Sequence, residues 1–276
     1  MIDRPGLALF LRRRREALQP EDVGLPRGQR RRTSGLRREE VAALCHISAD
    51  YYSRLERERG PHPSEQMIAS IAQGLHLSLD ERDHLFRLAG HHPPLRGVSG
   101  DHISPGLLRI FDRLGDSPAE IVTELGETLR QTPMCAALNG DATRYTGPAR
   151  SLGYRWFTDP SVRARYPAED HDHHSRAFTA GLRDVLVRRG PASKAAQLVR
   201  LLDGNEEFRS YWDAGEIGVR FDEGKRVLHP ELGLLDLACQ ALLDPNQSHL
   251  LVVFTATPGT ESHEKLQLLS AFSPDR

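Results

Sequence analysis

The chain has 276 residues, of which 38% are hydrophobic and 27% charged, a composition typical of a soluble globular protein long enough for two domains. Its formal net charge is only -1, and no stretch approaches the roughly 20 apolar residues that a transmembrane helix needs. The short apolar run before the arginines at residue 12 excludes an export signal, since a signal peptide places its positive charges first. We therefore expect a cytoplasmic protein that does not contact membranes.

The first predicted helix is amphipathic, with Leu7, Phe10 and Leu11 on its apolar side, and the segment PEDVGLPRG ends it. Residues 1–38 contain 11 arginines but only 4 acidic residues, so the positive charge of this nearly neutral chain is local. Clustered arginines are suited to contacts with DNA phosphates. The arginines that we predict to contact the DNA backbone are Arg31, Arg32, Arg37 and Arg38.

Residues 37–56 have the pattern of a helix-turn-helix. An apolar stripe around Val41 is followed by a tight turn and a second stripe at Tyr52 and Leu55, three residues apart as in a helix. Such helix pairs also occur in bundles that do not bind DNA, but the adjacent arginines favour DNA binding. Ser48 is expected to cap the second helix through its hydroxyl. The residues predicted to meet the major groove are Ser48, Ala49, Asp50, Tyr51 and Arg54.

Two further helices complete the N-terminal domain. Ser64 is predicted to cap the fourth helix, and Ser78 with Glu81 has the spacing of a capping box at the start of the fifth. A Pro-, Gly- and His-rich segment follows and is typical of a linker. The predicted organisation is a helix-turn-helix domain at 1–92, a linker at 93–105 and a second domain at 106–276.

The second domain mixes strand and helix patterns. Two short strand-like runs flank Gly126, and a helical middle includes a start at Asp159 and Pro160, which have N-cap and first-turn chemistry. The period changes to two from Val227 onward, and residues 249–256 form an apolar run suited to a strand covered on both faces. The predicted fold class is therefore a mainly α five-helix domain followed by an α+β domain.

The sequence offers little catalytic or metal chemistry. The run HDHH at 171–174 has metal-binding residue types, but its spacing at a predicted helix start does not place three ligands on one face. The chain lacks a Gly-rich phosphate loop, a nucleophile elbow and a paired-carboxylate motif, so we do not expect an enzyme. Cys45, Cys135 and Cys239 are far apart among apolar neighbours, which favours reduced, buried thiols over disulfides.

Several long stretches resemble one family, the MmyB-like bacterial transcription regulators with an XRE (Cro and lambda-repressor type) helix-turn-helix. They are FLRRRREALQPEDVGLPRGQRRRTSGLRREEVAALCHISADYYSRLERERG, PSEQMIASIAQGLHLSLDERDHLFRLAG, WFTDPSVRARYP, KRVLHPELGLLDL and LLVVFTATPG. The resemblance implies a PAS-like α+β C-terminal domain that binds fatty-acid-like ligands. His46 and Glu58 depart from the family pattern, which has Gly at both positions. A non-Gly residue in a left-handed turn costs on the order of 1 kcal/mol, and Glu58 near phosphates is expected to weaken DNA affinity.

Two functions stay open for the second domain of this regulator: ligand control of DNA binding, or only oligomerisation and partner contacts. A cavity in its core would favour a fatty acid or similar apolar small molecule, which a few polar groups must orient. Because one helix-turn-helix covers few base pairs, we predict a homodimer on double-stranded DNA. The residues expected near the cavity are Tyr154, Trp156, Phe157, Phe178, Leu182, Leu186, Trp212, Phe221 and Leu237, with Arg220 and His229 as polar groups.

Overall fold

The computed structural model divides the chain into two compact units, residues 1–113 and 114–276. The structure describes residues 2–26, 35–94, 100–221, 224–244 and 249–272. Within these ranges, no helix is long and apolar enough to cross a membrane.

The first unit is helical, as predicted. Its helices are α1 (Arg4–Ala17), α2 (Arg38–Leu44), α3 (Ala49–Glu56), α4 (Glu65–Gly74) and α5 (Leu79–Leu88). A short 3-10 helix at Pro20–Val23 follows α1 at the predicted break. The predicted caps are confirmed: the Ser64 hydroxyl accepts from the backbone N–H of Met67 at 3.2 Å, and Ser78 with Glu81 forms a capping box.

The helix-turn-helix pair α2–α3 packs closely on its neighbours. Tyr52 of α3 is fully buried, and its hydroxyl donates to the carbonyl of Leu11 in α1 at 3.4 Å. Gly74 of α4 approaches Cys45 so closely that a Cβ at this position would lie 2.5 Å from Sγ. Only glycine therefore allows α4 to pack this near the pair. Burial raises the pKa of the Cys45 thiol to about 12, which keeps the sulfur protonated.

A further helix, α6 (Pro105–Phe111), belongs to the first unit, so the observed boundary follows the predicted one by eight residues. Ile103 is buried, and its backbone N–H donates to Gln73 Oε1 at 2.9 Å. Ile103 therefore attaches the end of the predicted linker to the helical unit, although the surrounding sequence is rich in Pro and Gly. Of the predicted linker at 93–105, residues 95–99 lie outside the described part of the chain.

The second unit is built on an antiparallel sheet in the order β2-β1-β5-β4-β3. Its strands are β1 (Ala119–Val122), β2 (Thr128–Gln131), β3 (Gly224–His229), β4 (Gly233–Asp244) and β5 (His249–Thr255). The last three strands pair in chain order as a meander, in the segment where the period of two predicts strands. Because β5 lies between β1 and β4, its nearly continuous apolar sequence fits its central position.

Helices connect β2 to β3 and close the chain. They are α7 (Pro133–Asn139), α8 (Leu152–Thr158), α9 (Pro160–Arg163), α10 (His171–Arg189), α11 (Lys194–Leu202), α12 (Glu206–Asp213) and α13 (Glu261–Phe272). Asp159 caps α9 through its side chain, as predicted. Trp156 of α8 lies in the core and donates from Nε1 to Ser175 Oγ of α10 at 2.8 Å. Strands and helices in this order confirm the predicted α+β class.

Candidate DNA-binding surface and ligand cavity

The outward side of α3 carries the residues predicted to meet DNA bases. Ser48 caps the helix, its hydroxyl accepting from the backbone N–H of Tyr51 at 3.1 Å, and is exposed together with Asp50. Ala49 and Tyr51 are half-buried against the helical core. Arg54 is exposed and forms an ion pair with Asp50, one helical turn earlier, at 2.7 Å. For the predicted contact with DNA, Arg54 must therefore give up its ion pair with Asp50.

The arginines predicted to contact phosphates differ in their exposure and in their ion pairs. Arg37 is exposed at the N-cap of α2. Arg38 is partly engaged, because its Nε donates to the carboxylate of Glu56 at 2.7 Å and 36% of its side chain is exposed. Arg31 and Arg32 lie outside the described residues. Of the four predicted phosphate contacts, Arg37 is thus the one whose described side chain is exposed.

A buried ion-pair network, which the sequence analysis did not predict, joins the helices of this surface. Glu56 at the end of α3 is fully buried and accepts from Arg15 Nε of α1 at 2.5 Å and from Arg38 of α2. Burial disfavours the charged form of Glu56, but the hydrogen bonds from Arg15 and Arg38 outweigh it and hold the pKa of this carboxyl below its ordinary value. The network fixes α3 against α1 and α2.

Two residues at the ends of the turn and of α3 have left-handed backbone. His46 has a φ of 54°, and Glu58 has a φ of 60°. These are the two positions at which the family pattern has Gly, and a side chain there costs about 1 kcal/mol. Glu58 is also exposed, so it adds a negative charge close to α3.

Replacing Arg37 by alanine is expected to weaken binding to every DNA sequence and to reduce the slope of log affinity against log salt by about one, because one phosphate contact is lost. Arg54→Ala is expected instead to change sequence preference, since α3 is the predicted recognition helix. Gel-shift titrations at several salt concentrations measure both effects. Arg209→Ala, at an exposed position of α12, is the matched control. Unchanged binding in both variants would remove this face from the DNA-binding surface.

Replacing Glu58 by glycine removes both backbone strain and a charge, whereas Glu58→Gln removes only the charge. We expect the glycine variant to raise the free energy of unfolding by about 0.5–1 kcal/mol and the glutamine variant to leave it nearly unchanged. Both should tighten DNA binding at low salt, because each removes repulsion from phosphates. Chemical unfolding and DNA titration test this pair. Equal stability of the two variants would contradict strain at this position.

The second unit contains a cavity of about 570 Å³ between its sheet and its helices, within the usual range for small-molecule sites. One wall is the sheet, with Val252 and Phe254 of the central strand β5 facing the cavity. The other wall comes from helices, including Phe178 and Leu182 of α10. Aromatic and aliphatic side chains therefore surround most of the space.

The sequence-predicted ligand residues divide into two groups. Those that line the cavity are Tyr154, Phe157, Phe178, Leu182 and Phe221. Phe178 contacts Phe221 edge to face, with ring centroids 4.9 Å apart, and the two rings form a continuous aromatic patch.

The other predicted residues, all in the described part of the chain, do not line the cavity: Trp156, Leu186, Trp212, Arg220, His229 and Leu237. Trp156 packs in the core, and Trp212 lies 4.1 Å from the guanidinium of Arg183. His229 Nδ1 accepts backbone N–H groups of the β3–β4 turn, and Arg220 is exposed. Periodicity identifies the apolar side of a helix or strand but does not distinguish a cavity wall from solid core, and this is why the apolar residues of this group were predicted near the cavity.

Two opposite charges, which the sequence analysis did not single out, lie on the sheet wall of the cavity. Glu120 accepts from Thr128 Oγ1 at 3.3 Å and from Gln131 Nε2 at 3.4 Å, and burial raises the pKa of its carboxyl. Lys225 Nζ lies 5.2 Å from the centre of the Tyr166 ring. Burial disfavours the charged form of Lys225, but Tyr166 and other neighbours outweigh this and raise the pKa of its ammonium. The sequence signal that could have identified these two residues is a charged side chain within a predicted strand.

The histidines at 171–174 belong to an aromatic cluster. His174 is buried, with its ring 5.2 Å from that of Trp156 and 4.9 Å from that of Tyr166. Burial lowers the pKa of His174 to about 4, so this imidazole is neutral at pH 7. Among the described residues, no group of three or more His, Cys, Asp or Glu side chains is arranged to hold a metal ion.

Two family models match the sequence. The model of the MmyB-like transcription regulator ligand binding domain matches residues 103–269, which include the cavity. The model of a helix-turn-helix domain matches residues 7–85, which include the α2–α3 pair. No curated protein matches the chain.

Proposed function

This chain belongs to the family of MmyB-like transcription regulators with a helix-turn-helix, and from this premise we propose that a small, mainly apolar ligand in the C-terminal cavity controls its affinity for double-stranded DNA. The observation that carries the proposal is the cavity of about 570 Å³, whose lining surface is mostly apolar. A fatty acid or a similar molecule matches this lining. The DNA is bound through α3 and Arg37.

The physics of such a ligand supports a regulatory effect. Burying each methylene stabilises the complex by about 0.8 kcal/mol, so an alkyl chain supplies several kcal/mol before the costs of ordering it. Regulation also requires that the ligand bind the DNA-competent and DNA-incompetent states unequally, because equal affinity shifts no equilibrium.

The experiment compares purified protein before and after lipid is stripped from it. Native mass spectrometry is expected to detect a bound apolar molecule, and operator titration with and without decanoate is expected to show a change in DNA affinity. Absence of bound lipid together with an unchanged melting temperature would contradict the ligand. A melting shift without a change in DNA affinity would make the ligand structural and would contradict its regulatory role.

We further propose that the protein acts as a homodimer, because two helix-turn-helix units double the contacts with a palindromic site. The C-terminal unit offers exposed apolar side chains for this at the end of β4, where Leu242 and Leu243, on opposite faces of the sheet, are 54% and 61% exposed. Sedimentation of the full chain is expected to show a dimer that the double replacement of these leucines by glutamate dissociates. Leu201→Glu, at another exposed leucine, is the control. A monomeric wild-type chain at tens of micromolar would contradict the dimer.

A further inference from the structure

The cavity holds a carboxylate and an ammonium on the same face of the sheet. The register that connects them runs through the pairs Lys225–Leu237, Cys239–Phe254 and Val252–Glu120. Because alternate residues of a strand share a face, and paired residues do too, Glu120 and Lys225 project from the same side of the sheet. Both residues line the cavity.

The two charges face the cavity without touching each other. Glu120 lies on β1 and Lys225 on β3, three strand spacings apart across the sheet, or roughly 14 Å, and their paired rows are also offset by four residues along the strands. Among the described side chains, no ion pair within 4.0 Å joins them. The hydrogen-bond partners of Glu120 are the neutral Thr128 and Gln131, whereas the charges of Lys225 and Arg155 act on it from beyond ion-pair distance. Lys225 lies against aromatic rings. The gap between the charges is therefore open to a polar group of a ligand.

Three other charged groups of the cavity wall have close partners. Arg226 Nε donates to Asp170 Oδ2 at 2.9 Å, and Arg155 Nη1 donates to the carbonyl of Arg150 at 3.0 Å. Glu124 is paired with Arg189 at 2.8 Å. Glu120 and Lys225 differ from these groups because their opposite charges are held apart.

We propose that Glu120 and Lys225 together select the head group of the ligand, and that this head is an uncharged group that both donates and accepts hydrogen bonds, such as a primary amide or a hydroxyl. The inference rests on the proposed function, because it concerns the same cavity. The donor of the head meets the Glu120 carboxylate, and its acceptor meets the Lys225 ammonium. The alkyl chain occupies the apolar remainder, beside Phe178 and Leu182.

A charged head fits this pair less well. A carboxylate would face the carboxylate of Glu120, and two carboxylates at hydrogen-bond distance must share one proton, so binding would require proton uptake. An alkylammonium would face Lys225 in the same way. A neutral donor–acceptor head satisfies both groups and adds no buried charge.

The test is isothermal titration of the full-length, lipid-stripped protein at pH 8 with decanamide and decanoate, which share a ten-carbon chain. The wild-type protein is expected to bind decanamide at least about tenfold more tightly. Glu120→Gln removes the opposing charge at constant size and is expected to reduce this preference by about tenfold. Glu169→Gln, at an exposed carboxylate that pairs with Arg226, is the matched control and should keep the wild-type preference.

Each outcome decides a different point. Wild-type protein that binds decanoate as tightly as decanamide, or a Glu120→Gln variant that keeps the wild-type preference, would overturn the head-group inference and leave the apolar cavity site standing. If neither compound binds the wild-type protein or the variants, the proposed ligand function itself is overturned, and the inference with it.

Discussion

Replacing Glu56 by glutamine is expected to lower the free energy of unfolding of the helical unit by about 3–5 kcal/mol, the usual cost of removing one partner from a buried ion pair. Glu56 is fully buried, and only 8% of the Arg15 side chain is exposed. Glutamine keeps the size of the side chain but leaves the buried Arg15 guanidinium with only the half-exposed Glu16 as a counter-charge. Because Glu56 also accepts a hydrogen bond from Arg38, we expect the affinity for DNA to fall together with the free energy of unfolding.

The same network predicts a pH dependence. The folded-state pKa of Glu56 lies below that of the unfolded chain, because the hydrogen bonds from Arg15 and Arg38 outweigh the effect of burial. The charged carboxylate therefore stabilises the fold above the ordinary glutamate pKa of about 4.3, and this contribution is lost as the pH falls through the folded-state pKa. The stability difference between wild type and Glu56→Gln should shrink over this range.

Hydrogen exchange measured by mass spectrometry on the full chain tests both statements, because peptides from α1 to α5 report the helical unit separately. Both tryptophans, Trp156 and Trp212, lie in the C-terminal unit, so their fluorescence serves as an internal reference. Glu16→Gln is the matched control, since Glu16 also contacts Arg15, at 3.3 Å, but is 51% exposed. If Glu56→Gln exchanges no faster than Glu16→Gln, the buried network does not stabilise the unit.

Local signals explain why most elements could be predicted from the sequence. The caps at Ser48, Ser64 and Ser78 depend on residues three positions apart, and the helix-turn-helix depends on apolar spacing within 20 residues. The change to a period of two likewise predicted strands in the segment that forms the β3–β5 meander. The fold class follows because each of these signals lies within one short segment.

The functional details depend on distant pairs, which periodicity does not contain. Arg15 and Glu56 are 41 residues apart, and Glu120 and Lys225 reach the same cavity wall only through the sheet order β1-β5-β4-β3. Phe178 lines the cavity whereas Trp156 fills the core, although both are aromatic residues on helices whose rings lie 5.5 Å apart. Which apolar residues line the cavity depends on where the helices and the sheet leave a gap between them. That packing involves several distant segments, so no single segment predicts it.

Filling the cavity with a larger side chain is expected to abolish the stabilisation that an apolar ligand provides. A ligand at a concentration one hundred times its dissociation constant raises the free energy of unfolding by about 2.7 kcal/mol. A variant that cannot bind the ligand is not stabilised by it. Val252 lies on the central strand β5 and lines the cavity. In Val252→Trp, the indole would occupy space that the alkyl chain needs.

The neighbouring residue supplies the control. Val253 is next on β5 and therefore faces the other side of the sheet, and it does not line the cavity in the described part of the chain. Unfolding of wild type, Val252→Trp and Val253→Trp is measured with and without saturating ligand, each variant against its own ligand-free baseline. We expect the gain to persist in Val253→Trp and to disappear in Val252→Trp. If the ligand raised the free energy of unfolding equally in all three proteins, it would have to bind outside this cavity. The two variants differ only in which face of β5 carries the indole.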